Sequence, residues 1–213
     1  MTNKDNTRTL LISGREAKSK NKYILDKIKH LQQINMKMLK DSKKHKNTKP
    51  IKKLYKYRNN YMNTFMHKVA KMVIDYANYN KCNKIILGDL KDIKQNMDYN
   101  KDFVSLPLQI LVQKIEYKAK LKGINVIIQE ESYTSKVSFF DNEFIPTFKK
   151  SDNMFTSIGK RIKRGLFKTP SILINADING ALNIMRKYLN VASDEILSPT
   201  CRGFVVNPIK ISF

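Results

Sequence analysis

Residues 174–187, INADINGALNIMRK, hold a single acid, Asp177, at the point where an apolar run gives way to a helical pattern. The run at 171–175 predicts a short buried strand, and the spacing from 178 to 189 predicts a helix. An Asp directly before a helix commonly caps the free backbone N–H groups. An acid at the end of a strand is also well placed to bind a divalent metal. The segment alone leaves both roles open.

The chain is strongly basic. It has 41 Lys and Arg against 18 Asp and Glu in 213 residues, which gives a formal net charge of +23. Such an excess repels itself and is best explained by a polyanionic partner, of which nucleic acid is the first candidate. An anionic membrane surface and a general basic shift in genome composition are the alternatives. The two long helical patterns look core-facing, so we expect nucleic acid and no membrane.

Cysteine and histidine usage argues against a zinc site. Cys82 and Cys201 lie far apart, no CxxC pair occurs, and the three histidines have no ligand-like spacing. No apolar run approaches the roughly 18 residues of a membrane span, and the first residues lack the apolar stretch of a signal peptide. We therefore expect a soluble, intracellular protein without zinc.

Hydrophobic periodicity predicts alternating strands and helices. Two long helical patterns joined by a polar basic turn predict a helical hairpin over 21–80. The order of elements indicates an α/β layer fold, in which residues 135–170 have no clear period. The predicted strands are 8–12, 84–90, 124–129 and 171–175, and the predicted helices are 21–40, 51–80, 104–122 and 178–189.

Acids follow three of the predicted strands. Asp89 lies in LGDL at the end of one strand, Glu130 and Glu131 end the next, and Asp177 follows the last. Divalent-metal chemistry on phosphodiesters needs several carboxylates that converge, and strand ends are suitable places for them. Nothing in the pattern alone brings these acids together. An exposed turn is the alternative explanation for the two adjacent glutamates.

Five segments carry a resemblance to a known family. They are HKVAKMVIDYA at 67–77, KIILGDLKDIKQN at 84–96, ESYTSK at 131–136, INADINGALNIMRK at 174–187 and RGFVVNP at 202–208. Together they resemble the TnpB family of insertion-sequence proteins, RuvC-like RNA-guided nucleases that are related to type V CRISPR effectors and Fanzor proteins. The resemblance covers nearly all of the chain but only the C-terminal part of a complete family member.

The resemblance implies roles for individual residues. Asp177 matches the third catalytic acid, and Asn179 and Asn183 match polar positions that brace it. Gly88 stands where most members have the second catalytic Glu. In members with the GDL form, the EESYTS segment looks like the source of that acid, which would be Glu130 or Glu131 here, with Glu131 favoured. Mg²⁺ or Mn²⁺ held by Glu131 and Asp177 would be the cofactor.

Two departures from the family pattern affect this interpretation. The family's first acid lies upstream of the segment with which this chain starts, so a companion chain would have to carry that strand. The family's four-cysteine zinc finger is replaced by a basic insert at 135–170. We expect this insert to bind phosphate through four side chains, Lys160, Arg161, Lys163 and Arg164.

The resemblance implies an RNase H-like (RuvC-like) α/β layer fold, N-terminally incomplete, with an inserted helical hairpin. On this interpretation, residues 1–213 are a partial nuclease domain from a transposable element that binds DNA and guide RNA. Three readings stay open. The chain is a metal-dependent endonuclease that acts in transposition and DNA recombination, a nuclease-dead nucleic-acid-binding protein, or an inactive truncated remnant.

Overall fold

A computed structural model describes residues 9–38, 47–89, 107–146, 156–197 and 202–213. The fold begins with strand β1 (Leu10–Ile12), helix α1 (Arg15–Met38) and helix α2 (Lys49–Tyr79). The two helices lie where the sequence predicted a hairpin. Helix α1 begins at Arg15, six residues before the predicted start at Asn21. The additional residues are mostly polar, so the apolar spacing that predicted the helix does not extend to them. The predicted end of this helix at 39–40 lies outside the described residues.

Helices α1 and α2 pack through a small core of their own. Ile24, Ile28 and Ile51 are buried between them. A hydrogen bond of 2.6 Å from Arg58 Nε to Oδ1 of the buried Asn21 joins the two helices beside this core. The helices therefore hold each other by apolar burial and by polar contacts such as this one.

A parallel pair of strands forms the middle of the fold. Strand β2 (Lys84–Gly88), helix α3 (Leu108–Leu121) and strand β3 (Asn125–Gln129) follow in order. Gly123 ends the helix with φ +68°, as its position after the apolar period predicted. Helix α3 packs against α2 through a second core that includes Val73, Ile74, Ile115 and Ala119. The predicted helix start at 104–106 lies outside the described residues.

The region that we predicted to be irregular contains regular structure. Strands β4 (Lys160–Lys163), β5 (Leu166–Lys168) and β6 (Leu173–Asn175) form an antiparallel sheet, and helix α4 (Ala176–Leu189) follows directly. Helix α4 buries an apolar face against Phe139, Phe167 and Ile174. Strand β4 is exposed along its whole length, so the alternation that identifies a half-buried strand is missing from its sequence.

The last elements are short: helix α5 (Ser193–Ile196), helix α6 (Arg202–Val206) and strand β7 (Ile209–Ile211). Strand β7 pairs in parallel with β1, with Leu10 opposite Ile209. The Thr9 hydroxyl donates to the Val205 carbonyl at 3.2 Å beside this pair. We predicted only a mixed tail here, because a three-residue strand has no measurable period without its partner.

The described strands form three small sheets, with the orders β1–β7, β2–β3 and β4–β5–β6. The mixed α/β class is confirmed, whereas a single RNase H-like sheet stays a prediction. None of the helices in the described ranges has a stretch apolar and long enough to cross a lipid bilayer.

Candidate nucleic-acid interface and acidic edge

The carboxyl ends of β2 and β3 meet at one edge of their sheet. The strands are in register from Lys84 opposite Asn125 to Gly88 opposite Gln129, and the Asp89 N–H donates to the Gln129 carbonyl at 2.8 Å. The acids that follow the two strands, Asp89, Glu130 and Glu131, therefore share one side of the molecule. We refer to these three residues as the acidic edge.

Glu131 lies directly over Gly88. A Cβ atom built on Gly88 would overlap Glu131 Oε2 and would stand 3.2 Å from its Cδ. The carboxylate thus fills the space that a side chain at position 88 would occupy. Of the two adjacent glutamates, Glu131 is the one that faces β2, and the sequence could not settle this point.

The surroundings of Glu131 disfavour its charge. Burial raises the pKa of this carboxyl, and the negative charges of Asp89 and Glu130 raise it further. Two carboxylates side by side in a partly buried position repel each other, so a cation that approached the edge would be attracted strongly. The environment therefore favours the protonated form of Glu131 more than water would.

Glu130 points elsewhere and has partners already. Its carboxylate pairs with the ammonium of Lys187 on α4, and it accepts the Ser132 N–H at 2.6 Å. Burial acts to raise the pKa of Glu130, but the hydrogen bonds from Lys187 and Ser132 outweigh it, so the pKa lies below its ordinary value. Glu130 is thus fixed as an anion that ties the strand end to helix α4.

Asp177 is not the cap of helix α4. Asn175 is the N-cap, and its Oδ1 accepts the N–H groups of Asp177 at 2.9 Å and Ile178 at 3.3 Å. The capping role that the pattern alone favoured for Asp177 is therefore wrong. Asp177 lies in the first turn with a side chain that is 72% exposed, where its charge is favourable to the helix dipole.

Asp177 lies nearer the start of helix α4 than the residue that faces Gly88. The helix α4 residue near Gly88 is Ile184, whose Cδ1 would lie 3.1 Å from a Cβ on that glycine. Ile184 is two turns beyond Asp177 on the same helix face, a separation of about 10 Å along the axis. Asp177 lines a shallow cavity together with residues of β1 and α2, among them Leu10, Ile12 and Val73.

The described residues fall short of a two-metal site. Among them, no three His, Cys, Asp or Glu side chains are grouped so as to hold a metal ion. The acidic edge supplies the pair Asp89 and Glu131, and Asp177 lies in the first turn of helix α4. A two-metal site needs ligands on both sides of a pair of ions about 4 Å apart. We therefore derive no hydrolytic step from these residues.

Asn179 and Asn183 hydrogen-bond the backbone of residues 134–139. Both are fully buried. Asn179 donates to the Val137 carbonyl at 2.8 Å and accepts the Phe139 N–H at 3.1 Å. Asn183 donates to the Thr134 carbonyl at 2.9 Å and to the same Val137 carbonyl at 2.8 Å. The two amides fix the backbone that leaves the acidic edge.

The four predicted phosphate-binding residues lie on one exposed hairpin. Strands β4 and β5 join at Arg164 and Gly165, and Gly165 takes φ +81°. We call residues 160–168 the basic hairpin. Its cations point to solvent, whereas Phe167 is buried and packs against Gly159, where a Cβ would stand 2.4 Å from the ring. The hairpin thus presents charge on a fixed backbone.

Arg161 links the basic hairpin to helix α4. Its guanidinium lies 3.9 Å from Asp177 Oδ1, and the two side chains are 50% and 72% exposed. An ion pair so exposed to solvent contributes little to stability. Arg161 is therefore free to exchange this carboxylate for a phosphate.

Sequence reasoning missed three residues that shape this region. Lys187 holds Glu130, Asn175 caps α4, and the buried Glu143 accepts the N–H groups of Ser138 at 2.8 Å and Ile158 at 2.9 Å. A Ser, Thr, Asp or Asn at the end of a strand and before a helix is a cap signal, and Asn175 had it. Glu143 had no such signal, because its partners are distant in the sequence.

Comparisons with known proteins agree with this architecture in part. Residues 109–184 match the model of the Cas12f1-like, TNB domain family. This range runs from α3 through the basic hairpin into α4. No curated protein matches the chain.

A solved Cas12f1 chain, from a cryo-EM structure of a Cas12f1–sgRNA–target DNA complex, is similar in fold. It is 22% identical with a TM-score of 0.50, and the match covers 76% of this chain and 40% of that chain. The present chain thus corresponds to less than half of that relative. The family match over residues 109–184 and the similarity in fold both agree with the resemblance found in the sequence.

Proposed function

We propose that this chain binds DNA and a guide RNA as a TnpB-like, transposon-associated protein, and that the basic hairpin contacts the phosphates. The observation that carries the proposal is the set of four exposed cations at 160–164 on a backbone anchored by the buried Phe167. The relative of similar fold was solved in a complex with sgRNA and target DNA, which supports the same class of partner.

Charge and shape both favour phosphate contact. The hairpin tip, residues 159–165, contains four cations and no acid, within a chain of net charge +23. Lys and Arg that neutralise phosphates release condensed counterions, so binding of this kind depends on salt and not on sequence. A rigid two-stranded ribbon also fits the wide groove of a duplex. We expect the hairpin to position nucleic acid rather than to read its bases.

The test replaces Lys160, Arg161, Lys163 and Arg164 together by Ala and measures binding to a DNA duplex and to RNA at several salt concentrations. Affinity should fall for every sequence tested. The slope of log affinity against log salt should become shallower by up to about 4, since each lost phosphate contact changes it by about 1.

A matched variant removes four cations near the amino ends of β2 and β3, at the opposite end of these strands from the acidic edge. It carries Lys84→Ala, Lys120→Ala, Lys122→Ala and Lys81→Asn, because Asn tolerates the φ of +52° at position 81. This control should bind far more tightly than the hairpin variant. Equal losses in the two variants, or an unchanged hairpin variant, would overturn the assignment of the hairpin.

A metal-dependent endonuclease is the second candidate, favoured by the meeting of Asp89 and Glu131 at adjacent strand ends. Mg²⁺ or Mn²⁺ held with the help of Glu131 and Asp177, and a companion chain that supplies the first acidic strand, belong to this candidate. We expect no nicking of plasmid DNA by this chain alone with either metal. Nicking that disappears in both Glu131→Gln and Asp177→Asn would make cleavage the function.

A further inference from the structure

The outer half of the α1–α2 hairpin presents a basic surface. Its small core contains only residues of α1 and α2, among them Ile24, Ile28 and Ile51. Seven Lys and Arg lie in α1 and five more between 49 and 58, whereas these segments contain only two acids, Glu16 and Asp26. This excess is separate from that of the basic hairpin.

Two tyrosines stand among these cations. Tyr23 on α1 is 52% exposed and Tyr57 on α2 is 50% exposed. Lys20 Nζ lies 5.9 Å from the centroid of the Tyr23 ring and 5.8 Å from that of Tyr57, and Lys27 Nζ lies 4.5 Å from Tyr23. We call these four residues the tyrosine–lysine patch.

The patch is continuous across two helices. Positions 20, 23 and 27 recur at spacings of three and four, so they form one stripe on α1. Lys20 lies near both rings, which places Tyr57 of the other helix beside this stripe. An isolated surface Tyr beside a Lys is common and needs no ligand. Two half-exposed rings that share one ammonium, in helical segments with twelve cations, form a platform of alternating π faces and charges.

We propose that the tyrosine–lysine patch binds a single-stranded segment of nucleic acid, with bases stacked on Tyr23 and Tyr57 and with Lys20 and Lys27 turned to the flanking phosphates. The proposal rests on the proposed function and adds a second, chemically different contact to it. Every base has a π face, so stacking platforms recognise unpaired strands without reading their sequence. The flexible lysine stems allow the ammonium groups to leave the rings for phosphate oxygens.

The test uses the full chain with Tyr23→Leu and Tyr57→Leu combined. Leu removes the π faces, keeps the charge and favours the helix. The probes are a labelled 20-nucleotide oligouridine and a blunt DNA duplex of the same length, measured by fluorescence anisotropy. Loss of stacking on two rings should weaken oligouridine binding at least about 10-fold, since each stacked base contributes about 5-fold or more. The salt dependence should stay unchanged, and duplex affinity should change less than about 2-fold.

Two controls separate stacking from other causes. Tyr23→Phe with Tyr57→Phe keeps both rings and should bind oligouridine like the parent chain. Tyr79→Leu with Tyr117→Leu removes two exposed rings from other positions and should have no effect. An unchanged Leu variant, an equal loss on duplex, or an equal loss in the Phe variant would overturn the proposal. The basic hairpin variant weakens both probes through charge, so failure of the patch is distinguishable from failure of the proposed function.

Discussion

The acidic edge and the basic hairpin contact opposite halves of helix α4, and they are built in opposite ways. At the edge, Glu131 fills the space above Gly88 and Glu130 is held by Lys187. On the hairpin the cations are exposed, and Arg161 makes only a long, solvent-exposed contact with Asp177 of the helix. Changes at the edge should therefore alter the folded structure, whereas changes to the exposed cations of the hairpin should alter binding alone.

The largest expected effect comes from the brace behind the acidic edge. Asn183→Ala removes the donor to the Thr134 carbonyl, and Thr134 in turn donates from its hydroxyl to the Glu131 carbonyl at 2.7 Å. A buried acceptor left without its partner, together with a small cavity, should lower the free energy of unfolding by about 2–3 kcal/mol in urea denaturation. Asn63→Ala, on an exposed face of α2, should stabilise the helix by a few tenths instead.

Two glycines should respond in opposite directions to the same change. Gly88→Ala places a Cβ against the Glu131 carboxylate and should lower the free energy of unfolding by about 1–3 kcal/mol. Gly180→Ala, on helix α4 with nothing within 4 Å, should raise it by about 0.5–1 kcal/mol. Adding Glu131→Ala should rescue Gly88→Ala. Simple additivity of the two changes in a double-mutant cycle would show that the carboxylate is not what occupies the space.

The start of helix α4 tests the hairpin side of the comparison. Asn175→Ala removes the cap that accepts two N–H groups and should lower the free energy of unfolding by about 1 kcal/mol. Asp177→Ala loses only a favourable dipole contact and a solvent-exposed pair, about 0.3–0.5 kcal/mol. The measurement is thermal unfolding of both variants. A larger loss for Asp177 would mean that this acid, and not Asn175, fixes the helix start.

The smallest expected effects concern the pH dependence of stability, in which the two neighbouring glutamates should differ. The pKa of Glu131 is raised by burial and by Asp89, so the stability it contributes below its unfolded pKa is lost as the pH rises through the folded pKa. The pKa of Glu130 is lowered, so its contribution is present above the unfolded pKa and is lost as the pH falls through the folded pKa.

Urea denaturation at pH 3.5, 5 and 7 checks this contrast. Relative to the parent chain, Glu131→Gln should become more stable as the pH rises. Glu130→Gln should become less stable, by about 0.2–1 kcal/mol at pH 7, because it loses a half-exposed ion pair. Parallel pH profiles for the two variants would contradict the opposite environments that the structure gives them.

Long periodic segments could be predicted from the sequence, and short or exposed ones could not. The apolar spacing of α2 and α4 placed them within two residues, because burial of one face sets the period. Strand β4 has no buried face and β7 has only three residues, so both depend on partners that the local sequence does not specify.

The candidate site, like the fold, could be predicted only in part. The acids at the ends of β2 and β3 followed from the strand pattern, and parallel pairing brought Asp89 and Glu131 together. Which glutamate faced inward depended on the side chain missing at Gly88, a relation between two strands that are not adjacent in the sequence. The contact between Arg161 and Asp177 could not be predicted from the local sequence either, because the hairpin itself was not predicted.

The pairing of β1 with β7 has a consequence for biosynthesis. Thr9 and Val205, whose contact flanks this pair, lie 196 residues apart in the chain. At about 5–20 residues per second, a ribosome needs roughly 10–40 s to deliver the second strand after the first. During that interval β1 has no β7 with which to pair, while the helices between the two strands already fold. The β1–β7 pair can therefore form only after almost all of the residues between the two strands have been made.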